Sequence, residues 1–346
     1  MKIYKLIALS LLSLTFACSS DDESPAEEMP NKAPVSENPT PEPIVIDFNP
    51  KPASGTPLKA FKLSDLDPSL PSFVSLDNTT PDNTKWEKVE EMSDEFDEWD
   101  PVKWRNSFWN YGGTPVSMRA ENSFVEDGKL NIKATLDPDP NTDMWFRTAR
   151  VHSQTQIKYP MYTECSMKTA KIAAFNTFWM NNGDIDNRDE IDIVENNANP
   201  TADCRDQTNK PADFPWTPWL FPTQMNSQYF IAKGGRANTE NRHGNYDTRF
   251  LSDANPNKGK TWDEDYHIVG AWWIDERNVQ FYLNGEPAGK VTTQQDMTLE
   301  LELIFDLWTA EQCNIGGLPE REALNDDAIN TMRVDWVRTW KLKEDK

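Results

Sequence analysis

The chain has 346 residues, 37% of them hydrophobic and including 14 Trp and 16 Phe, so it can build a sizeable core in one or two domains. Thirty-five basic against 57 acidic residues give a formal net charge of −22. This charge repels phosphate backbones and argues against general nucleic-acid binding. A neutral or locally recognised substrate fits the composition better.

The N-terminus has the pattern of an export signal. Lys2 and Lys5 precede an apolar run over residues 6–17, which is too short to span a bilayer as a helix. The Ala17-Cys18 step after Leu14 resembles a bacterial lipoprotein cleavage site, which implies that Cys18 becomes the lipidated first residue. We therefore predict a signal peptide over residues 1–17 and a cell-surface or outer-membrane lipoprotein held in the membrane through Cys18. Cleavage followed by secretion is the alternative.

Residues 18–84 are rich in Pro, Ser, Asn and acidic residues. Such a composition buries too little apolar surface to offset the entropy of ordering. We predict a linker here, in which "PIVIDF" and "PSFVSL" can still pack on the edge of the domain that follows.

The remaining cysteines are Cys165, Cys204 and Cys313. They have no CxxC spacing and no clustered His, so no zinc site is predicted. One disulfide and one free buried thiol fit this odd number, and the sequence leaves the pairing open.

Residues 85–346 read as a single all-β domain. Short β-branched or alternating runs are separated by Gly, Pro and Asn turns, as in "SFVEDGKLNIKATL", "YTECSMKTA", "EIDIVE", "LELIFDLW" and "MRVDWVRTWKLK". This spacing predicts an antiparallel β-sandwich. In "FYLNGEPAGKV", Asn284 and Gly285 supply the positive φ angles of a tight hairpin turn. The helical pattern is limited to one or two turns in "PEREALNDDAI".

The stretch "DNRDEIDIVENN" places Glu190, Asp192 and Glu195 in a run whose Ile and Val residues suit a strand. Side chains alternate along a strand, so residues 190 and 192 share a face and residue 195 points to the other. Either Glu195 is a solvated outer residue, or a β-bulge restores it to the shared face, as bulges beside active sites do. With the bulge, three acids line one face of the sheet.

Three acids on one sheet face suit glycoside hydrolysis. One carboxylate attacks the anomeric carbon, and another, kept protonated, gives its proton to the leaving oxygen. Asp192, between the two Glu residues, can hold the nucleophile and raise the pKa of the acid by like charge. Calcium binding, or a plain acidic strand edge, is the alternative. Aromatic rings that stack on sugars favour the glycosidase interpretation; the candidates are Trp104, Trp109, Trp145, Trp179, Trp216, Trp219 and Trp308.

The successive stretches "WEKVEEMSDEFD", "VEDGKLNIKA", "FNTFWM", "EIDIVE", "HIVGAWWIDERNVQFYLNG" and "MRVDWVRTWKL" span residues 86–343. Together they resemble glycoside hydrolase family 16, in its bulged E-x-D-x-x-E branch of β-agarases, β-porphyranases and κ-carrageenases. The resemblance implies a β-jelly-roll of two curved antiparallel sheets with an open substrate cleft on the concave face. It also implies endo-acting, retaining hydrolysis with Glu190 as nucleophile, Glu195 as general acid and then base, and Asp192 as assisting carboxylate.

The same resemblance implies substrate contacts. Trp179 falls where the family places a tryptophan near the scissile sugar, and Trp109 in "NSFWNYGG" is a second platform. Four further substrate-binding residues are predicted from their own sequence context: Trp145, Arg147, Trp308 and His243, which lies in the polar loop "ENRHGN". Of the remaining histidines, His152 has no partner at metal spacing, and His267 is predicted to be structural at the start of a strand.

The mechanism requires no cofactor, but many family members bind a structural calcium ion. The matching positions are Asp335 and Gly128, with Asp94 or Glu95 as the early acid. That Asp335 merely ends a strand is the alternative.

The negative charge of the chain opposes a densely sulfated polymer, so neutral agarose is the first predicted substrate. Porphyran is the second, because a guanidinium can bind a sulfate bidentately; the arginines in segments that could reach the cleft are Arg119, Arg147, Arg150, Arg236 and Arg242. We predict a monomer.

Other readings stay open. A non-catalytic, glycan-binding surface lipoprotein would not need all three acids. An adhesin or scaffold whose acidic strand binds calcium would fold in a chelator-sensitive way without glycan turnover. Within the enzyme class, a retaining intermediate can be captured by a sugar instead of water, which is transglycosylation.

Overall fold

The computed structural model describes residues 59–77, 80–81, 83–106, 113–205, 222–313 and 315–345. The predictions for the signal peptide, Cys18, Trp109, Trp216 and Trp219 lie outside these residues. In the described part of the chain, no helix is long and apolar enough to cross a membrane.

The described residues contain nineteen strands. In chain order they are β1 Thr84–Lys88, β2 Trp104–Asn106, β3 Val116–Met118, β4 Ser123–Glu126, β5 Lys129–Lys133, β6 Thr135–Leu136, β7 Phe146–Thr148, β8 Arg150–Ile157, β9 Met161–Lys168 and β10 Phe175–Gly183. They continue with β11 Asn187–Asn196, β12 Gln224–Lys233, β13 Thr239–His243, β14 Tyr246–Asp247, β15 His267–Trp273, β16 Asn278–Leu283, β17 Glu286–Thr292, β18 Leu301–Trp308 and β19 Thr331–Glu344.

The helices are short. The described residues contain two α-helices, α1 Ser72–Asp77 and α2 Ala202–Arg205. The 3₁₀ turns are Leu63–Asp65, Glu90–Met92, Ala120–Asn122, Arg236–Asn238, Thr248–Phe250 and Arg321–Asn325. The last of these turns is the helical pattern predicted within "PEREALNDDAI".

Two eight-stranded antiparallel sheets carry the fold. Sheet 1 has the order β17-β16-β15-β9-β19-β5-β4, with β1 also paired to β19. Sheet 2 has the order β13-β12-β11-β10-β18-β8-β2, with β14 also paired to β12. A small third sheet, β3-β7-β6, contains a parallel pair. The antiparallel sandwich predicted from the strand spacing is confirmed.

One hydrophobic core draws side chains from both large sheets. Val269 and Phe281 come from sheet 1, and Ile191 and Phe305 come from sheet 2, all of them fully buried. The predicted hairpin joins β16 to β17 through Asn284 and Gly285, whose φ angles are 51° and 81°. Because side chains alternate along a strand, the residues between the core positions of sheet 2 lie on its other face.

The folded unit begins upstream of residue 85. The predicted boundary at residues 84 and 85 assigns α1 to the linker, but Phe73 in α1 is buried and stacks on Tyr282 with ring centroids 4.3 Å apart. Phe73 also meets Trp86 edge-on at 5.9 Å. The prediction that "PSFVSL" packs on the edge of the domain agrees with these contacts. The boundary at residues 84 and 85 itself stays a prediction.

A buried carboxyl group holds α1 against sheet 1. Glu164 on β9 accepts hydrogen bonds from the backbone N–H and hydroxyl of Ser72 and from the Tyr162 hydroxyl at 2.8 Å. Burial raises the pKa of Glu164 to about 7, although these donors act in the opposite direction. The folded state therefore binds the Glu164 proton more tightly than the unfolded chain does.

We expect this group to make stability depend on pH. Its contribution is fully present below pH 4.5 and is lost as pH rises through about 7, up to about 3 kcal/mol. Urea unfolding of the wild type and Glu164→Gln at pH 5 and pH 8 measures it, because contributions from other groups cancel in the difference. The wild type should lose free energy of unfolding relative to the variant at pH 8, and parallel pH curves would contradict the account. Glu87→Gln, at an exposed ion pair with Lys343, is the control.

The three described cysteines form one disulfide and one free buried thiol, as predicted, and the structure identifies the pair. Cys204 and Cys313 form a disulfide, and Cys165 on β9 is a buried free thiol. The bridge ties α2 to the loop that follows β18 across a separation of 109 residues.

Candidate active site

A β-bulge in β11 brings the three predicted carboxylates to one face. Against β10, Val194 pairs with Phe178 but Asp192 pairs with Trp179, which leaves Ile193 without an opposite residue. Against β12, the register shifts between Asp192 and Glu195 in the same way. The bulged alternative predicted from the sequence is confirmed. We call the side of sheet 2 that carries Glu190, Asp192 and Glu195 the carboxylate face.

A hydrogen bond and core packing hold the bulge in place. The Ile193 carbonyl accepts a hydrogen bond of 2.7 Å from the Ser227 hydroxyl. Ile191, Ile193 and Val194 are all fully buried in the core. Apolar packing beneath the strand therefore fixes which face the acids occupy.

The partners of the outer carboxylates differ in charge. Gln228 Nε2 donates to Glu195 Oε2 at 2.7 Å, and Asn241 in turn donates to Gln228 Oε1 at 3.1 Å. Glu190 instead forms an ion pair with Arg188 through Oε2. One acid thus has a neutral partner and the other a cation.

Burial raises the pKa of all three carboxyl groups. For Asp192, burial and the charges of Glu190 and Glu195 hold the pKa well above its usual value. Burial and the Glu190 charge raise the pKa of Glu195 to about 8. Burial also raises the pKa of Glu190, but the Arg188 guanidinium opposes this shift. At neutral pH this pattern suits a protonated acid at Glu195 and an ionised nucleophile at Glu190.

A buried ion pair lies beside the carboxylates. Asp306 on β18 is opposite Thr177, which is itself opposite Glu195. Arg150 Nε is 3.7 Å from Asp306 Oδ2, and both side chains are almost fully buried. The Arg150 guanidinium also lies 4.6 Å from the ring centroid of Trp179.

Sequence reasoning missed Asp306, and it placed Arg150 among the arginines able to reach a sulfate. At 1% exposure, Arg150 stacks on Trp179 and pairs with Asp306 instead. The run "LELIFDLW" reads as a buried strand, and a single Asp within it was the available signal. A charged side chain in such a strand requires a partner.

A second charged cluster lies on the same face. Glu302 accepts from His152 at 3.0 Å, from Arg105 at 2.5 Å and from Gln156 at 3.2 Å. Burial alone would raise the pKa of Glu302, but these donors outweigh it and lower the pKa to about 2. Sequence analysis assigned no role to His152, which has a carboxylate partner.

The structure places two predicted contacts on the carboxylate face. Trp179 is opposite Asp192, so its side chain lies on the carboxylate face, where it is 4% exposed. His243 was predicted in a loop, but it belongs to β13 and is opposite Gln228, which pairs with Asp192. Burial lowers the pKa of His243. Their contact with sugar stays a prediction.

Other predicted contacts lie elsewhere or are covered. Trp145 has the Arg321 guanidinium 4.7 Å from its ring centroid, so one ring face is occupied. Arg147 lies on β7 of the third sheet and donates to Asp137 at 2.6 Å. Trp308, at the end of β18, is 8% exposed and packs edge-on against Phe175 at 5.4 Å.

The predicted calcium ligands have protein partners. Asp94 accepts from Trp104 Nε1 at 2.8 Å and from the Phe96 N–H at 2.9 Å. Lys129 Nζ is 3.4 Å from Asp335 Oδ1 and competes with a cation there. Glu95 pairs with Arg338, and Gly128 occupies the turn between β4 and β5 with φ 64°.

In the described residues, no group of three or more His, Cys, Asp or Glu side chains could hold a metal ion. No step of the mechanism proposed below uses a metal ion. Calcium binding stays a prediction.

Comparison with known proteins places this site in a family. A family model described as "Beta-porphyranase A-D, GH16 domain" matches residues 86–342. The chain belongs to glycoside hydrolase family 16. The resemblance inferred from the sequence motifs is confirmed.

Relatives in this family include both porphyranases and agarases. β-Porphyranase E of Zobellia galactanivorans is 30% identical over 278 residues, covering 76% of this chain and 90% of the relative. A β-agarase of Phocaeicola plebeius is 23% identical and covers 98% of each chain.

Solved structures agree with the family fold. Porphyranase B of Zobellia galactanivorans superposes with a TM-score of 0.61 at 25% identity, covering 80% of this chain and 98% of that one. β-Agarase A in complex with oligoagarose superposes with a TM-score of 0.59 at 20% identity, covering 76% of this chain and 95% of that one. The predicted all-β jelly roll of two antiparallel sheets is confirmed.

Proposed function

We propose that the chain is an endo-acting, retaining glycoside hydrolase that cleaves β-1,4 galactosidic bonds of a red-algal galactan. The observation that carries this proposal is the bulged β11, which presents Glu190, Asp192 and Glu195 on one face in different electrostatic surroundings. The substrate class is supported by relatives that are porphyranases and agarases.

In the proposed mechanism, Glu190 attacks the anomeric carbon while protonated Glu195 gives its proton to the leaving glycosidic oxygen. Glu195, now a carboxylate, then removes a proton from water, which attacks the glycosyl-enzyme and releases Glu190. Burial and the charge of ionised Glu190 raise the pKa of Asp192, which favours its protonated form. It can therefore donate a hydrogen bond to the nucleophile.

Agarose remains the first proposed substrate. The formal charge of −22 opposes a sulfated polymer. Three arginines predicted to reach sulfate have carboxylate partners in the protein: Arg147 with Asp137, Arg150 with Asp306 and Arg242 with Glu240. Porphyran is the second candidate, because the matching family model is that of porphyranases.

An oligosaccharide product profile tests the proposal and the choice of substrate. The chain from residue 19, which keeps α1, is incubated separately with agarose, porphyran and κ-carrageenan. We expect even-numbered neutral oligosaccharides from agarose. Sulfated products from porphyran alone would make porphyran the substrate instead of agarose. The absence of products from all three galactans would contradict the proposed function.

The alternative of a non-catalytic glycan-binding lipoprotein predicts binding without turnover in the same assay. We also propose attachment to the membrane through Cys18, on the sequence pattern alone. In cells, Cys18→Ala should move the protein from the membrane to the soluble fraction, and unchanged fractionation would contradict the anchor.

A further inference from the structure

Arg188 lies two residues before the proposed nucleophile on β11, so both side chains share the carboxylate face. Its Nη2 forms an ion pair with Glu190 Oε2. Its guanidinium carbon lies 5.3 Å from the ring centroid of Phe230, which is directly opposite Glu190 on β12. The Arg188 side chain is 23% exposed. The guanidinium is therefore held between an aromatic ring and the carboxylate.

The other cations close to this face have their own carboxylates. Arg150 pairs with Asp306, and Lys233 Nζ is 2.8 Å from Asp189 Oδ1. Among the described cations near the three acids, Arg188 is the one that forms an ion pair with Glu190.

We propose that Arg188 is a positioning residue for the hydrolysis: its guanidinium keeps Glu190 ionised and holds Oε2, so that Oε1 is the attacking oxygen. This inference rests on the proposed function for its catalytic meaning. Glu190 and Glu195 have the same functional group, and the Arg188 guanidinium makes one of them the nucleophile and leaves the other as the acid.

The separation follows from the partners. Two similar carboxyl groups close together do not ionise jointly, so the one beside a cation loses its proton first. Glu190 has that cation, and Glu195 has the neutral Gln228 amide. Burial strengthens the effect because the site screens charge less than water does. Without Arg188, the nucleophile and the acid would compete for the same proton.

Other charged groups act on Glu190 from the surrounding strands and must be held constant in a test. On β11 itself these are Asp189, Asp192 and Glu195; on β18, Asp306 and Glu302; on β8, Arg150 and His152; on β2, Arg105; on β12, Lys233; and on β13, His243. Substitution of Arg188 leaves all of them in place.

The direct test is a ¹³C NMR titration of the Glu side-chain carboxyl carbons, which needs no substrate. The proteins are the wild type, Arg188→Gln, Arg188→Lys and the control Arg277→Gln, which removes a surface ion pair with Asp296. Glu190→Gln identifies the Glu190 signal. We expect the apparent pKa of Glu190 to rise by about one unit or more in Arg188→Gln. Arg188→Lys should recover most of the shift, and Arg277→Gln should show none.

Activity gives the second readout. In Arg188→Gln, the acidic limb of kcat/KM should move up by the same amount, with about tenfold or greater loss at low pH and an unchanged KM. An unchanged Glu190 titration would overturn the proposal. A rise in KM confined to sulfated galactan, with the Glu190 titration unchanged, would overturn it in favour of substrate binding. If the wild type hydrolyses no galactan, the proposed function fails, and the titration still decides whether Arg188 sets the ionisation of Glu190.

Discussion

Glu190→Gln is expected to abolish galactan cleavage, with a loss of about 10⁴-fold or more in kcat. Gln keeps the volume of the side chain but has no oxygen able to form the glycosyl-enzyme bond. Apolar packing of Ile191, Ile193 and Val194 fixes the strand beneath, so the fold should survive. Thermal unfolding should shift by no more than about 4 °C.

The measurement is initial-rate hydrolysis of the galactan that the wild type degrades, together with oligosaccharide binding by calorimetry. Binding should persist in Glu190→Gln because the aromatic and polar contacts are unchanged. Glu87→Gln removes a carboxylate at an exposed pair with Lys343 and should keep full activity. Retained turnover in Glu190→Gln would remove Glu190 from the nucleophile role.

Glu195→Gln is expected to lose activity according to the leaving group. General acid catalysis contributes about 10²- to 10⁴-fold, so polysaccharide cleavage should fall by that factor. An aryl glycoside with a good leaving group needs little protonation, and its first step should be nearly retained. The second step then becomes limiting, because no base activates water.

Azide should rescue the Glu195→Gln variant on the activated substrate. As a small anion, azide attacks the glycosyl-enzyme without base catalysis and gives a product of β configuration. Chromatography and NMR of the glycosyl azide measure this. Formation of the α-azide alone would contradict the acid/base role of Glu195.

The pH dependence offers a further check on Glu195. The pKa of about 8 means that the required protonated form is lost as pH rises through 8. The wild-type kcat/KM on galactan should therefore fall above about pH 8. This basic limb should be absent in Glu195→Gln, and its persistence there would assign it to another group.

Much of the fold and the three acids could be predicted from the sequence. Alternating runs and the Asn284-Gly285 turn predicted the antiparallel sheets, because the side-chain period and the positive φ angles are local properties. The bulge was one of two alternatives, since E-x-D-x-x-E is compatible with either face for Glu195. The structure decides between them through the unpaired Ile193.

The supporting residues could not be predicted because they come from distant strands. Thr177 hydrogen-bonds Asp306 across a separation of 129 residues, and His152 reaches Glu302 across 150. Such pairs depend on sheet order and register, which local pattern does not contain. The sequence shows Arg188 two residues before Glu190. It does not show that the nearby cations Arg150 and Lys233 pair with other carboxylates, which leaves Arg188 to pair with Glu190.

Composition and residue type alone do not show where a side chain lies in the fold. Arg147 belongs to the separate third sheet, where Asp137 pairs with it. Arg150 is buried and forms an ion pair with Asp306. The upstream helix with Phe73 falls within the predicted linker because its neighbours in sequence are polar, although its apolar run allowed it to pack on the domain.

The most direct test of the account is the anomeric configuration of the first product, followed by ¹H NMR during galactan hydrolysis. Double displacement through Glu190 predicts that the new reducing end appears first as the β anomer and then equilibrates with α. Initial appearance of the α anomer would show single displacement and contradict the roles assigned to Glu190 and Glu195.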